Sequence, residues 1–182
     1  MTALQITWLL LIGVLLIGYA ILDGFDLGVG CWHLVAKKGR ERSLFIRAIE
    51  PFWDGNEVWL LTGGGALFAA FPAVYASVFS GLYLALMLVL AGLIFRAVAI
   101  ACRNKVNSLR WVAAWDAAFG FGSILPSLLY AVAVGNLIRG LALNAAGDYT
   151  GGFLALLNPY ALTVGLVGLS MFAVHGALYL AL

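Results

Sequence analysis

The apolar positions of the chain gather into five long runs, separated by short charged or glycine-rich segments. Runs of about 20 residues with few charges match the length of a transmembrane helix. The first runs from Leu4 to Ala36. At 1.5 Å per residue its roughly 33 residues would reach about 50 Å, beyond a hydrocarbon core of ~30 Å. That helix must tilt, bend or project, or else break near Asp23-Gly24. Lys37 to Glu50 reads as a charged loop or surface helix. Helix 2 is expected over Pro51–Phe71, with Pro51 in the first turn, where its missing N–H costs little. Pro72 marks a tight turn, and helix 3 comes next over Ala73–Ala101. Arg103 to Arg110 is a short polar loop. Helix 4 covers Trp111–Ile138, and Pro126 with Gly120 and Gly122 predicts a kink. Arg139 to Pro159 is a longer loop, and helix 5 starts near Tyr160.

The pattern predicts an all-α polytopic membrane protein of about five transmembrane helices. Residues 1–138 would form a first four-helix bundle, 139–159 an extracytoplasmic loop, and 160–182 the start of a second bundle. Composition agrees: 64% of residues are hydrophobic and 10% charged, against roughly 25% charged in a soluble domain. The distribution of charge says more than its net value of +2. Lys37, Lys38, Arg40, Arg42, Arg47, Arg103, Lys105 and Arg110, eight of the ten basic residues, lie in alternate connections. By the positive-inside rule those connections are cytoplasmic and the N-terminus is extracytoplasmic. No basic residue precedes the first run, so it reads as retained rather than cleaved. The fifth run is still apolar at Leu182, which reads as an incomplete chain or one piece of a split subunit. Cys31 and Cys102 are expected as free thiols near the cytoplasmic face.

Ionisable groups inside apolar runs cost at least about 2.5–3.5 kcal/mol each at a helix centre, so they mark function or a protein-facing surface. Here they are Asp23, Asp26 and His33 on helix 1, Asp54 and Glu57 on helix 2, Arg96 on helix 3 and Asp116 on helix 4. Tyr19, Asp23, Asp26, Gly30 and His33 are spaced four, three, four and three, which puts them on one helix face. Counted from the cytoplasmic loops, Asp26 lies roughly 16 Å deep and Asp116 and Arg96 roughly 9–10 Å. Carboxylates from several helices thus converge in the cytoplasmic half of the membrane. Such a cluster suits a proton inlet. The bland alternatives are a packing face on helix 1, a structural ion pair for Arg96, and Asp54 and Glu57 favouring a helix N-terminus.

Gly63-Gly64-Gly65 allows tight helix packing. Haem would need His or Met ligands; the histidines are His33 and His175, each expected to be hydrogen-bonded within the bundle. Paired metal-ligand spacings are absent from the sequence, and the basic residues match topology rather than a nucleic-acid module.

Three segments carry a resemblance. They are Gly18-Tyr-Ala-Ile-Leu-Asp-Gly-Phe-Asp-Leu-Gly-Val-Gly30, the stretch from Pro51-Phe-Trp-Asp-Gly-Asn-Glu-Val-Trp59 through Pro72, and Val74-Tyr-Ala-Ser-Val-Phe-Ser-Gly-Leu-Tyr83 with Leu93-Ile-Phe-Arg96. With Trp115-Asp116 and Leu157-Asn-Pro159, they resemble subunit II of cytochrome bd-type quinol oxidases over the N-terminal half of the family's length. The resemblance implies a non-haem subunit that scaffolds a haem-bearing subunit I in quinol-dependent reduction of dioxygen to water. Haems b and d would sit in subunit I, quinol in the membrane, and small single-helix subunits beside them. It implies a bacterial or archaeal cytoplasmic membrane. The position of Asp54 lies on a cytoplasmic proton pathway in the family and that of Trp59 near an oxygen route. Asp26 and Asp116 would be polar-cluster members; Glu57 and Asp23 join the expected proton pathway on their place among the buried charges alone. Some members hold a structural quinone in subunit II. The competing reading is a secondary transporter or channel subunit built on the acidic stripe, with Gly24 as its helix break.

Overall fold

The chain enters its first helix through a reciprocal cap: the Thr2 side chain accepts from the Gln5 N–H, and the Gln5 side chain accepts from the Thr2 N–H. From there the computed structural model, which describes residues 2–182, is helical almost throughout. α1 (Ala3–His33) is one unbroken helix through Asp23-Gly24. The discontinuity that a transporter-type site at Gly24 requires is not present. α2 (Arg40–Ile49) is a surface helix inside the charged segment, with Arg42, Ile46 and Ile49 on its buried side. α3 (Trp53–Ala70) ends at Phe71. α6 (Leu109–Arg139) continues through Pro126, whose ring packs against Gly92 of the neighbouring helix. α7 (Phe153–Leu156) is a single turn, and α8 (Pro159–Leu180) starts on an Asn158 side-chain cap.

The third apolar run departs from the expected single helix. It forms α4 (Pro72–Gly81) and α5 (Tyr83–Cys102), joined at Leu82. Gly81 is buried at that joint, and the Tyr149 ring packs over it. Ser77 donates to the Gly147 carbonyl at 2.6 Å, so the loop after α6 is strapped onto α4. The join is set by this distant contact, which is why a uniformly apolar stretch gave no sign of it.

α1, α5, α6 and α8 are each long and apolar enough to cross a membrane. α3, with 18 residues, reaches roughly 27 Å, and its first two turns carry Asp54, Asn56 and Glu57. α1 packs on α3 and α6, and α6 packs on α5. The fourth side of this group, between α3 and α5, opens into an apolar cavity of about 710 Å³. Residues 160–182, expected to start a second bundle, lie against α1 and α6 as α8. Small residues allow that approach. A Cβ at Gly28 would collide with the Phe172 carbonyl oxygen and with Gly176, and one at Gly176 with the Gly28 backbone.

Candidate functional site: two buried ion networks

The helix 1 stripe is wholly internal. Tyr19, Asp23, Asp26, Gly30 and His33 are all buried. It does not feed one cluster, however, but two. Asp26 and His33 are seven residues apart, so the clusters stand about 10 Å apart along α1.

The upper network is centred on Arg96 of α5, which is 1% exposed. Its two terminal nitrogens donate to the two Asp23 oxygens, Nη2 to Oδ1 at 2.8 Å and Nη1 to Oδ2 at 3.2 Å. Nη1 also donates to Glu57 Oε1 at 2.9 Å. Asp26 stands further off, with Oδ2 at 3.9 Å from Arg96 Nη2. Asn56 Nδ2 donates to that oxygen at 2.7 Å and also reaches the Leu22 carbonyl at 3.2 Å. Asp26 Oδ1 and Arg96 Nε are buried without a partner. The network therefore holds three carboxylates and one guanidinium. Two carboxylates take the arginine's good bonds, and Asp26 is left in surplus. A turn above, the Tyr19 and Tyr130 hydroxyls meet at 3.1 Å, and Tyr130 borders the apolar cavity.

The lower network is centred on Asp116 of α6. Its Oδ1 accepts from Arg103 Nε and from His33 Nε2, the latter at 2.8 Å. Its Oδ2 accepts from Arg42 Nη1 at 3.2 Å. Arg42 further donates to the Leu34 and Ala36 carbonyls at 2.9 and 3.1 Å, just past the C-terminal end of α1. Arg103 Nη1 donates to Ser43 Oγ at 3.0 Å. Here one carboxylate serves two guanidinium groups and a histidine. Because Arg42 and Arg103 meet on one aspartate, the two basic connections lie at the same end of the bundle, as their charge pattern predicts.

The sequence pattern gathers Asp23, Asp26, Asp54, Glu57, Asp116 and Arg96 into one expected cluster, with Arg96 at the depth of Asp116; the structure brings only Asp23, Asp26, Glu57 and Arg96 together. Asp116 is drawn instead into the lower network. Asp54 is exposed on the outer side of the first turn of α3. Trp59 is half-buried, its ring seated over Gly18 of α1. Of the three consecutive glycines, only Gly63 packs against α1, through Leu16. Gly64 and Gly65 meet nothing and face the cavity. His175 bonds to the Ile21 carbonyl at 2.9 Å, and both cysteines are free thiols. Among the described residues no cluster of His, Cys, Asp and Glu has the form of a metal site.

Sequence reasoning missed Arg42, Arg103 and Asn56. Arg42 carried a usable signal: with Ile46 and Ile49 it is spaced four and three, so it shares their inner face. Arg103 gave none, since at a helix end it is indistinguishable from a topology charge. Asn56 sits one residue before Glu57, and its partner becomes apparent only once α3 is packed on α1.

Residues 4–182 match the family described as cytochrome bd terminal oxidase subunit II. The chain is 48% identical to cytochrome bd-I ubiquinol oxidase subunit 2 of Escherichia coli (strain K12), over 97% of this chain and 48% of that protein. It is 46% identical to the probable cytochrome oxidase subunit 2 of Haemophilus influenzae, with the same coverage. Cytochrome bd ubiquinol oxidase subunit 2 of Bacillus subtilis is 39% identical, over 100% of this chain and 54% of the relative. The chain thus spans about half the length of the curated relatives it matches.

Proposed function

Because the chain belongs to the cytochrome bd terminal oxidase subunit II family, we propose that it is the non-haem half-partner of a haem-bearing subunit I in a membrane quinol oxidase. In that complex it scaffolds subunit I and carries protons inward from the cytoplasm for dioxygen reduction. The N-terminus is extracytoplasmic, and residues 160–182 begin a second bundle. The observation that carries the proton reading is the surplus carboxylate of the upper network. Asp26 is fully buried, is held by a neutral amide on one oxygen, and has no partner on the other. A buried carboxylate without a full counter-charge is poised to take up and release a proton. Asp54, exposed one turn before Glu57 on α3, is the proposed inlet. Glu57, Asp23 and Asp26 come next, and Asp116 lies outside this route. Trp59, half-buried beside α1, borders the proposed oxygen approach.

Haem belongs to the partner in this reading. His33 Nε2 is committed to Asp116 and His175 Nε2 to a backbone carbonyl, so neither histidine offers that nitrogen as an axial ligand. The cavity beside Tyr130, lined by Phe68, Tyr75, Phe79 and Leu90, has the apolar surface that a structural quinone requires. Co-purification with a haem-bearing membrane subunit tests the assembly. Asp54→Asn and Glu57→Gln in the assembled oxidase test the conduit. Oxygen consumption is expected to drop with haem spectra unchanged, whereas unchanged turnover in both variants would remove the inlet.

A further inference from the structure

The lower network carries no step of that route, yet it joins four elements, α1, α2, α6 and the end of α5. Asp116 holds a side chain from α1, one from α2 and one from the end of α5. Two of the three bear on α2: Arg42 belongs to it, and Arg103 reaches its Ser43. The Tyr179 hydroxyl of α8 adds a bond to the Ala48 carbonyl at 2.8 Å, and Ile46 and Ile49 sink into the core beside Val29, Ala99 and Phe119. A hydrogen-bonded turn leads from α2 into α3. Phe52 N–H donates to the Ile49 carbonyl at 2.9 Å, and Asn56 N–H to the Phe52 carbonyl at 3.0 Å. Only Glu50, Pro51 and Phe52 separate the two helices, so a shift of α2 is carried into the first turns of α3. Those turns hold Asn56 against Asp26 and Glu57 against Arg96.

We propose that Asp116 is a positioning residue that latches α2 to the bundle and thereby fixes where α3 presents Asn56 and Glu57 to the upper network. The latch itself stands on geometry alone; its effect on turnover rests on the proposed proton route. Replacing the carboxylate leaves two buried guanidinium groups facing each other without their counter-charge, and α2 is the element least able to resist, being short and at the surface. Glutamate preserves the charge, and the latch with it. Asparagine keeps the shape and loses the charge.

The test uses the assembled oxidase with Cys31→Ala and Cys102→Ser, carrying Ile46→Cys as a buried reporter on α2 and, separately, Leu44→Cys on its exposed face as the unhindered reference. A water-soluble maleimide is the probe. Asp116→Asn is expected to raise the labelling rate of the buried reporter about tenfold through local opening of α2, while Asp116→Glu stays near the parent rate. Asp26→Asn, in the upper network, leaves labelling unchanged. Turnover is then measured for Asp116→Asn, Asn56→Ala and the double variant. Acting through one element, the two losses do not multiply. Unchanged labelling in Asp116→Asn, with turnover lost, makes Asp116 a proton carrier and overturns the latch. Multiplying losses overturn the link through α3. Raised labelling with turnover unaffected by either single variant supports the latch and removes the proton reading instead.

Discussion

Asp23 and Asp116 are both buried carboxylates on the inner face of a helix, each gripped by arginine, and they sit only two to three turns apart. Their surroundings are opposite. Around Arg96, three carboxylates share one guanidinium; around Asp116, two guanidinium groups and a histidine share one carboxylate. The difference teaches which residue each network can spare. A buried ion pair is weak evidence of stabilisation, but breaking one by removing a partner leaves a charge uncompensated. Arg96 and Asp116 are therefore the members that cannot be lost. The spare member is an acid in the upper network and a base in the lower one. Only a spare acid, buried and short of a counter-charge, suits proton transfer.

The sharpest way to break the contrast is to remove the hub of each network. Arg96→Met leaves Asp23 buried and Glu57 half-buried, both without their guanidinium partner, at an expected cost of about 3–5 kcal/mol. It is read as loss of assembled complex or a collapse in thermal inactivation temperature. Removing a spare member should cost far less. Arg103→Gln keeps Asp116 paired with Arg42 and His33, so the expected loss is the hydrogen bond to a charged group, roughly 1.5–3 kcal/mol by thermal unfolding in detergent. The helix contact between the two networks along α1 offers an independent scale. Gly28→Ala drives a methyl into the α8 backbone at Phe172 and Gly176, with an expected destabilisation on the order of 1–3 kcal/mol. The smallest effect belongs to the hydroxyl pair above the upper network. Tyr130→Phe removes one partner of the 3.1 Å contact with Tyr19, and the melting temperature should register only about 0.5–1.5 kcal/mol.

Much of this was legible because lipid and charge impose simple rules. The four-three spacing of Tyr19, Asp23, Asp26, Gly30 and His33 marked an inner face before any packing was known, and every one of those residues is buried. Arg96 had to find acids, since nothing else in an apolar bundle could hold it. The split into two networks was not legible. Spacing along α1 says that Asp26 and His33 share a face, but only the heights of α5 and α6 decide that Arg96 meets the first and Asp116 the second. Nor could the sequence show that Arg42 and Arg103 turn inward. Basic residues in a cytoplasmic connection satisfy the topology rule whether they face water or the bundle. The joint between α4 and α5 is of the same kind. Gly81 takes its place from Tyr149, a residue on the far side of α6 in the chain.

Proton uptake on turnover, measured in the assembled oxidase with Asp26→Asn and compared with Arg103→Gln, tests the claim most directly. The asparagine keeps the Asn56 contact within reach and leaves Arg96 bonded to Asp23 and Glu57, so assembly and haem spectra should match the parent. Uptake and oxygen consumption should fall at least tenfold, about 1.4 kcal/mol on the barrier, while Arg103→Gln loses stability without a comparable loss of rate per assembled complex. Parental proton uptake in the Asp26 variant would contradict the claim and leave both networks as scaffolding.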